Sequence, residues 1–284
     1  MRSILHFLQQ KINSALFLFK RRRIYPLLKI DLIRFLYCKM RKSYFIHYKK
    51  QLKIWDGSQK NMIITHTGDT AIAHNLKGLH DVSGARSLRI IKPLSVIEIF
   101  RPLSDMPTQG GELNDLDYPC EAKLLTIGPR TEGEIFCLIA YGFKPQNIRG
   151  LDLISYSPFI DVGDMHAMPY EKDAFDIVIG SCVLVYSSNP LQACQEMVRV
   201  CKDGGLICIA QDTTPKAGID HIVKAGKQTL FCEDYLELFK PYVKRIFFQH
   251  ELPERLAPIQ GNAGSNYTMS LIFQIQKGKG DALP

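Results

Sequence analysis

The chain has 284 residues, 46% of them hydrophobic, and 36 Lys and Arg against 28 Asp and Glu give it a net charge of +8. That length and apolar content suffice for a packed body of enzyme size. The eight cysteines form no CxxC pair, and His66, His74 and His80 lack the i, i+3 or i, i+4 spacing of paired helical ligands, which argues against a disulfide scaffold or a zinc site and for reduced, buried thiols.

The charge is concentrated at the start. Residues 1–53 hold fourteen Lys or Arg against the single Asp31, so this segment carries +13 and the remaining residues −5. The apolar run from Ile4 to Phe19 is broken by Gln9, Gln10 and Lys11 and lacks a small-residue cleavage site, unlike a secretory signal or a membrane span. Leu5, Leu8, Ile12, Leu16 and Phe19 fall on one helical face. Pro26 opens a second helical pattern, with Leu28, Leu32, Phe35, Leu36 and Met40 apolar among basic residues. Such an extension suits an anionic membrane surface, on the inner face of a membrane, or a cap over the protein's own core or a partner subunit. Specific nucleic-acid binding is not expected, since no recognised module accompanies the charge.

Residues 54–120 are expected to form an accessory or lid segment. MIITH (62–66) reads as a short strand, SLRIIKPLSVIEIF (87–100) is apolar around Pro93, and 106–119 is a turn-rich linker. From residue 121 buried strands alternate with helices: strands at 123–128, 148–154, from 175, and at 206–212; helices at 131–142, within 189–205 and around 233–239; and late strands at 243–249 and 267–276. The pattern predicts an α/β fold, three-layer and doubly wound, mostly parallel, with an antiparallel C-terminal strand pair. Its ligand belongs at the carboxyl ends of the strands. The predicted division is 1–53 as a basic helical extension, 54–120 as the accessory segment and 121–284 as the main domain.

Three places carry chemistry. Gly128 ends the first of these strands, and Thr131 and Glu134 have the spacing of a capping box, so a helix start is expected to aim free N–H groups at an anionic ligand, aided by Arg130. Asp152, 24 residues past Gly128, is placed to accept hydrogen bonds from both hydroxyls of a ribose. The run VGDMHAMPYEKDAFDIVIGS (162–181) combines Asp164-Met165, a turn closed by Pro169 and a buried strand, and EMVRVCKDGGLICIA (196–210) follows.

This order of features, over about residues 121–212, resembles the S-adenosylmethionine-dependent methyltransferases of the Rossmann-like class. The resemblance implies S-adenosyl-L-methionine as cofactor. Gly128, Pro129, Arg130 and Thr131 would face its methionine part, Asp152 its ribose, Asp164 its adenine amino group and Met165 its ring, with Ser181 and Cys182 beside the sulfonium or the acceptor. The chain departs from the family in its first loop, where G-x-G-x-G becomes Gly128-Pro129-Arg130-Thr131-Glu132. It departs again where only twelve residues separate Asp152 from Asp164, leaving hardly room for a helix. The expected activity is in-line methyl transfer to a small-molecule, sugar or lipid-linked acceptor in the cytoplasm. His166 is the first choice of general base, ahead of Tyr186 and His221. A methyltransferase fold without catalysis, serving as a binding or scaffold protein, is the alternative. A nicotinamide oxidoreductase is disfavoured because G-x-G-x-x-G is absent.

Overall fold

The computed structural model describes residues 22–56, 71–97, 121–213, 231–251 and 267–278. The expected helix at 3–19, the strand at 62–66, the linker at 106–119 and His221 lie outside the described residues.

The strand-rich part begins with β2 (Leu124–Ile127), after a two-residue β1 (Lys53–Ile54). It continues through β3 (Ile148–Asp152), β4 (Ile154–Ser155), β5 (Ile160–Val162), β6 (Phe175–Ser181), β7 (Cys201–Thr213), β8 (Val243–His250) and β9 (Tyr267–Ile275). Seven of these form one sheet in the order β5-β3-β2-β6-β7-β9-β8, while β1 pairs antiparallel with β4. The pairs β2/β3, β2/β6, β3/β5 and β6/β7 are parallel, and β7/β9 and β8/β9 are antiparallel. The chain winds outward from β2 to β5 on one side and from β6 on the other. The winding therefore reverses between β2 and β6, which is where such sheets open a crevice at their carboxyl ends.

The helices are α1 (Asp31–Ser43), α2 (Ala71–Lys77), α3 (Leu88–Ser95), α4 (Glu132–Ala140), α5 (Pro190–Val200) and α6 (Cys232–Leu238). Both sheet faces are covered, so successive strand residues alternate between two apolar cores. Leu124, Ile177, Ile179, Leu206 and Cys208 meet α1, α3 and α4 on one side. Leu125, Val178, Ile207, Ile209 and Phe273 meet α5 and α6 on the other. This double burial explains why the strands read as continuous apolar runs.

Two local expectations change. The helix within 189–205 stops at Val200 because Cys201 is extended (φ −77°, ψ 139°) and pairs with Phe175, so β7 begins five residues earlier than its apolar stretch. The apolar stretch 87–100 contains α3, with Pro93 inside it and Ile90, Ile91 and Leu94 buried.

Residues 22–56 pack on this body. Tyr37 of α1 meets Phe136 of α4 edge to face at 4.8 Å, and Arg41 makes two bonds of 2.5 and 2.7 Å to the buried Glu132 carboxylate. The backbone of 82–84 lies against the start of α4, so closely that a Cβ at either Gly84 or Gly133 would overlap the other segment. Gly84 also has φ +62°, a conformation natural to glycine.

Candidate functional site

At the tips of β2, β3 and β6 lies a cleft open to solvent. Gly128, Arg130, Asp152, Asp164, Met165, His166 and Cys182 line it, and Tyr186 joins them. Three other expected residues take different positions. Pro129 packs against Gly150, Thr131 is buried and donates to the Asp81 carbonyl at 3.2 Å, and Ser181 is buried within 3.2 Å of the Ser87 hydroxyl.

The turn after β2 is well fixed despite its missing glycines. Gly128 has φ +71° and its N–H donates to the Leu151 carbonyl at 2.8 Å. Arg130, where the resembled pattern has its second glycine, keeps the left-handed backbone at φ +52°. Its N–H donates to Asp152 Oδ2 at 2.7 Å, and that bond compensates for the strain of a side chain in this region. The side chain turns toward α2, with Nε 3.3 Å from Asn75 Oδ1 and the guanidinium over Gly78, and stays on the cleft wall.

The expected capping box is not made. Thr131 is the N-cap of α4 without a side-chain cap bond, because its hydroxyl goes to Asp81. Glu134 is drawn inward to the hydroxyls of Thr126 and Ser87. Nor are the N–H groups of this turn free, as expected for an anion site: Arg130 N–H serves Asp152, Thr131 N–H the Pro129 carbonyl, and Glu132 N–H the Tyr156 hydroxyl at 3.3 Å.

Three buried acids therefore surround the turn, each with a partner from the first hundred residues. Glu132 pairs with Arg41 and also accepts from Ser157 at 2.6 Å. Glu134 accepts from Ser87, and burial pushes its pKa up to about 7, with the Asp152 charge adding to the rise and the Ser87 bond opposing it. Asp152 accepts from Asn75 Nδ2 at 2.8 Å, and burial lifts its pKa to about 6 against the backbone bonds from Arg130 and Ile154. Sequence reasoning passed over Asn75 and weighed its neighbour His74 only as a metal ligand; the His74 ring lies 5.3 Å from that of Tyr186 on the cleft wall. They come from a seven-residue helix with no periodic or motif signal of its own.

At the other end of the cleft, the loop after β5 turns on Asp164. Its Oδ1 accepts from the His166 N–H at 3.0 Å and meets His166 Nδ1 at 2.6 Å, while His166 Nε2 is 2.7 Å from the Ser187 hydroxyl. A carboxylate only accepts, so Nδ1 donates to Asp164, and Nε2 shares a hydrogen bond with the Ser187 hydroxyl. Burial pushes Asp164 upward, but the side-chain and backbone bonds from His166 and its charge outweigh this and hold the carboxyl below its usual value. Met165, Ile127 and Leu151 make the adjoining wall apolar. The shortened connection between Asp152 and Asp164 is filled by β4 and β5 instead of a helix.

A nucleoside suits the Asp164–Met165 end, which pairs a carboxylate acceptor with an apolar wall. It suits the β2 end less fully, because Oδ1 of Asp152 already accepts from both Asn75 and the Ile154 N–H.

The family described as "Methyltransferase domain" matches residues 144–209. The biotin biosynthesis bifunctional protein BioHC of Teredinibacter turnerae is 33% identical over 97 residues, which make up 32% of this chain and 17% of that protein. Among solved structures, the chain is similar to a SAM-dependent methyltransferase of Thermotoga maritima, described as a possible histamine N-methyltransferase, at 13% identity, covering 71% of this chain and 93% of that one with a TM-score of 0.43. It is also similar to a SAM-dependent methyltransferase of Methanosarcina mazei at 14% identity, covering 58% and 96% with a TM-score of 0.41. At these scores the fold rests on the strand order and the family match. The matched segment spans β3 through most of β7 and includes the Asp152-to-Asp164 side of the cleft, so residues 144–209 are similar to a methyltransferase domain, on a sheet with the strand order of a doubly wound α/β fold.

Proposed function

We propose that this chain is itself an active methyltransferase that holds S-adenosyl-L-methionine across the tips of β2, β3 and β6 and methylates a small-molecule, sugar or lipid-linked acceptor. The observation that carries the proposal is that Gly128, Asp152, Asp164, Met165 and Cys182, widely spaced in sequence, line one cleft at the switch point of the sheet. In this reading Asp164 and Met165 hold the adenine, Asp152 the ribose, and the turn from Gly128 to Thr131 the amino-acid tail. Because that turn's N–H groups are engaged, the Arg130 guanidinium supplies the positive charge for the tail carboxylate. Cys182 and Ser181 stand at the tip of β6, with Cys182 on the side of the sulfonium and the acceptor.

The bound cofactor supplies an activated methyl group, so the protein's own task is alignment and the exclusion of water. For an acceptor that must lose a proton we assign His166 as the base. Asp164 fixes its tautomer, and Nε2 becomes available when the Ser187 hydroxyl turns away. The buried free thiols Cys38, Cys137, Cys194, Cys201, Cys208 and Cys232 favour a reducing compartment such as the cytoplasm.

One observation supports a fold that binds without catalysing: the β2 turn is saturated by internal partners. Differential scanning fluorimetry with S-adenosylhomocysteine and with NAD separates the readings. Stabilisation by S-adenosylhomocysteine alone is expected. Stabilisation by NAD alone would move the chain to hydride transfer, and none by either leaves the scaffold reading.

A further inference from the structure

α1 is turned the unusual way round. A helix on a water-bathed protein buries its apolar stripe and shows its charges. Here the inward face carries Arg34, Tyr37, Cys38 and Arg41. Arg34 is fully buried, donating to the Ser83 carbonyl at 2.9 Å and the Leu28 carbonyl at 2.8 Å and pairing with Asp31. The outward face carries Leu32 and Leu36, 66% and 49% exposed, with Leu27 and Ile30 just before the helix at 45% and 52%. One such leucine on a surface is ordinary, but four in ten residues need an occupant.

Charge identifies it. Lys29, Lys39, Lys49, Lys50 and Lys53 are exposed on the same segment. Its acids are Asp31, already paired with Arg34, and Asp56. Past the helix, exposed Tyr48 stacks on Tyr44 at 5.4 Å, with the Lys49 ammonium over both rings, an amphipathic pairing suited to a lipid headgroup layer. A second copy of the chain would set this positive surface against itself. Residues 1–21 would do the same, since they bring four more cations and no acid.

We propose that the outward face of α1 lies on an anionic membrane surface, with Leu27, Ile30, Leu32 and Leu36 in the boundary between headgroups and acyl chains and the surrounding lysines on lipid phosphates. Residues 54–284, with their net charge of −5, are repelled from that surface and orient the body away from it. The inference does not depend on the identity of the methyl acceptor.

The test is flotation of the full chain with vesicles of pure phosphatidylcholine and with vesicles containing phosphatidylglycerol, at low and high salt. The chain is expected to float only with the anionic vesicles, and less at high salt. Leu32→Gln/Leu36→Gln and Lys39→Gln/Lys49→Gln/Lys50→Gln should each weaken partitioning by about tenfold or more while leaving the melting temperature unchanged. Absence of flotation at low salt, or equal flotation of the leucine variant, overturns the proposal. A fall in melting temperature of the leucine variant, or a parental dimer that this variant dissociates, also overturns it, because either shows protein covering the face.

Discussion

The described residues before 98 and the strand-helix body behind them solve burial in opposite ways. In the body, α5 buries Ala193, Cys194, Met197 and Val198 and shows Gln192 and Gln195 to solvent. In the N-terminal part, α1 buries arginines and shows leucines. The reason lies in what each helix faces. α5 meets an apolar sheet surface, whereas α1, α2 and the turn before α3 reach past their apolar contacts to Glu132, Glu134 and Asp152, buried acids that draw partners from them. The difference teaches that the N-terminal part completes the first strand-helix turn and is not an appendage to it.

The largest test of that view is Arg41→Ala. It leaves Glu132, whose side chain is 0% exposed, without its cation, and removal of one member of a buried pair costs about 3–5 kcal/mol. Urea unfolding is expected to show a loss of that size, and Arg41→Met/Glu132→Gln should recover much of it. A loss below about 1 kcal/mol would class the contact with surface ion pairs and make residues 22–56 a detachable extension after all.

Glu134 sharpens the comparison through pH. Burial pushes its carboxyl up to about 7 in the folded chain from an ordinary 4.5, so between these values the folded state keeps a proton that the unfolded chain has lost. A raised acid pKa lowers stability as pH climbs from the unfolded to the folded value, with the loss complete above about pH 7. Glu134→Gln removes the titration. Its stability relative to the parent should rise by about 3 kcal/mol between pH 4.5 and 7.5, from the size of the shift. A flat difference between the two proteins would mean that the carboxyl stays ionised and that Ser87 and Thr126 suffice to hold it.

The same contrast explains what was legible in the sequence. Strands such as Phe175–Ser181 are apolar on both faces, so they could be recognised without knowing which side met which helix. Asp152 stands out by its distance from Gly128, whereas the role of Asp164 comes only from the resemblance to the methyltransferase pattern. The periodicity of Leu28, Leu32, Phe35 and Leu36 marked a helix but not its orientation, because that depended on a buried acid ninety-one residues away from Arg41. The Thr131–Glu134 spacing was that of a capping box, yet Glu134 found two hydroxyls inside, one from a segment with no readable motif. A polar side chain's partner is decided by tertiary contact. Patterns of hydrophobicity carry no record of it, and Asn75 on the cleft wall escaped notice for that reason.

Asn75 supports the finest prediction, which concerns the acid at the β3 tip. Asp152→Ala should weaken S-adenosylhomocysteine binding tenfold or more, about 1.4 kcal/mol, in isothermal titration. Asn75 should act in the opposite direction. A carboxylate has about four acceptor positions, and Asp152 already fills three with Asn75 Nδ2, Ile154 N–H and Arg130 N–H, leaving one for a ribose that offers two hydroxyls. Asn75→Ala frees a second position and should tighten binding by roughly fivefold, the order of one neutral hydrogen bond of about 1 kcal/mol. Weaker binding by this variant would make Asn75 a direct ligand of the ribose, and the N-terminal part would then build the cofactor site itself as well as the turn beneath it.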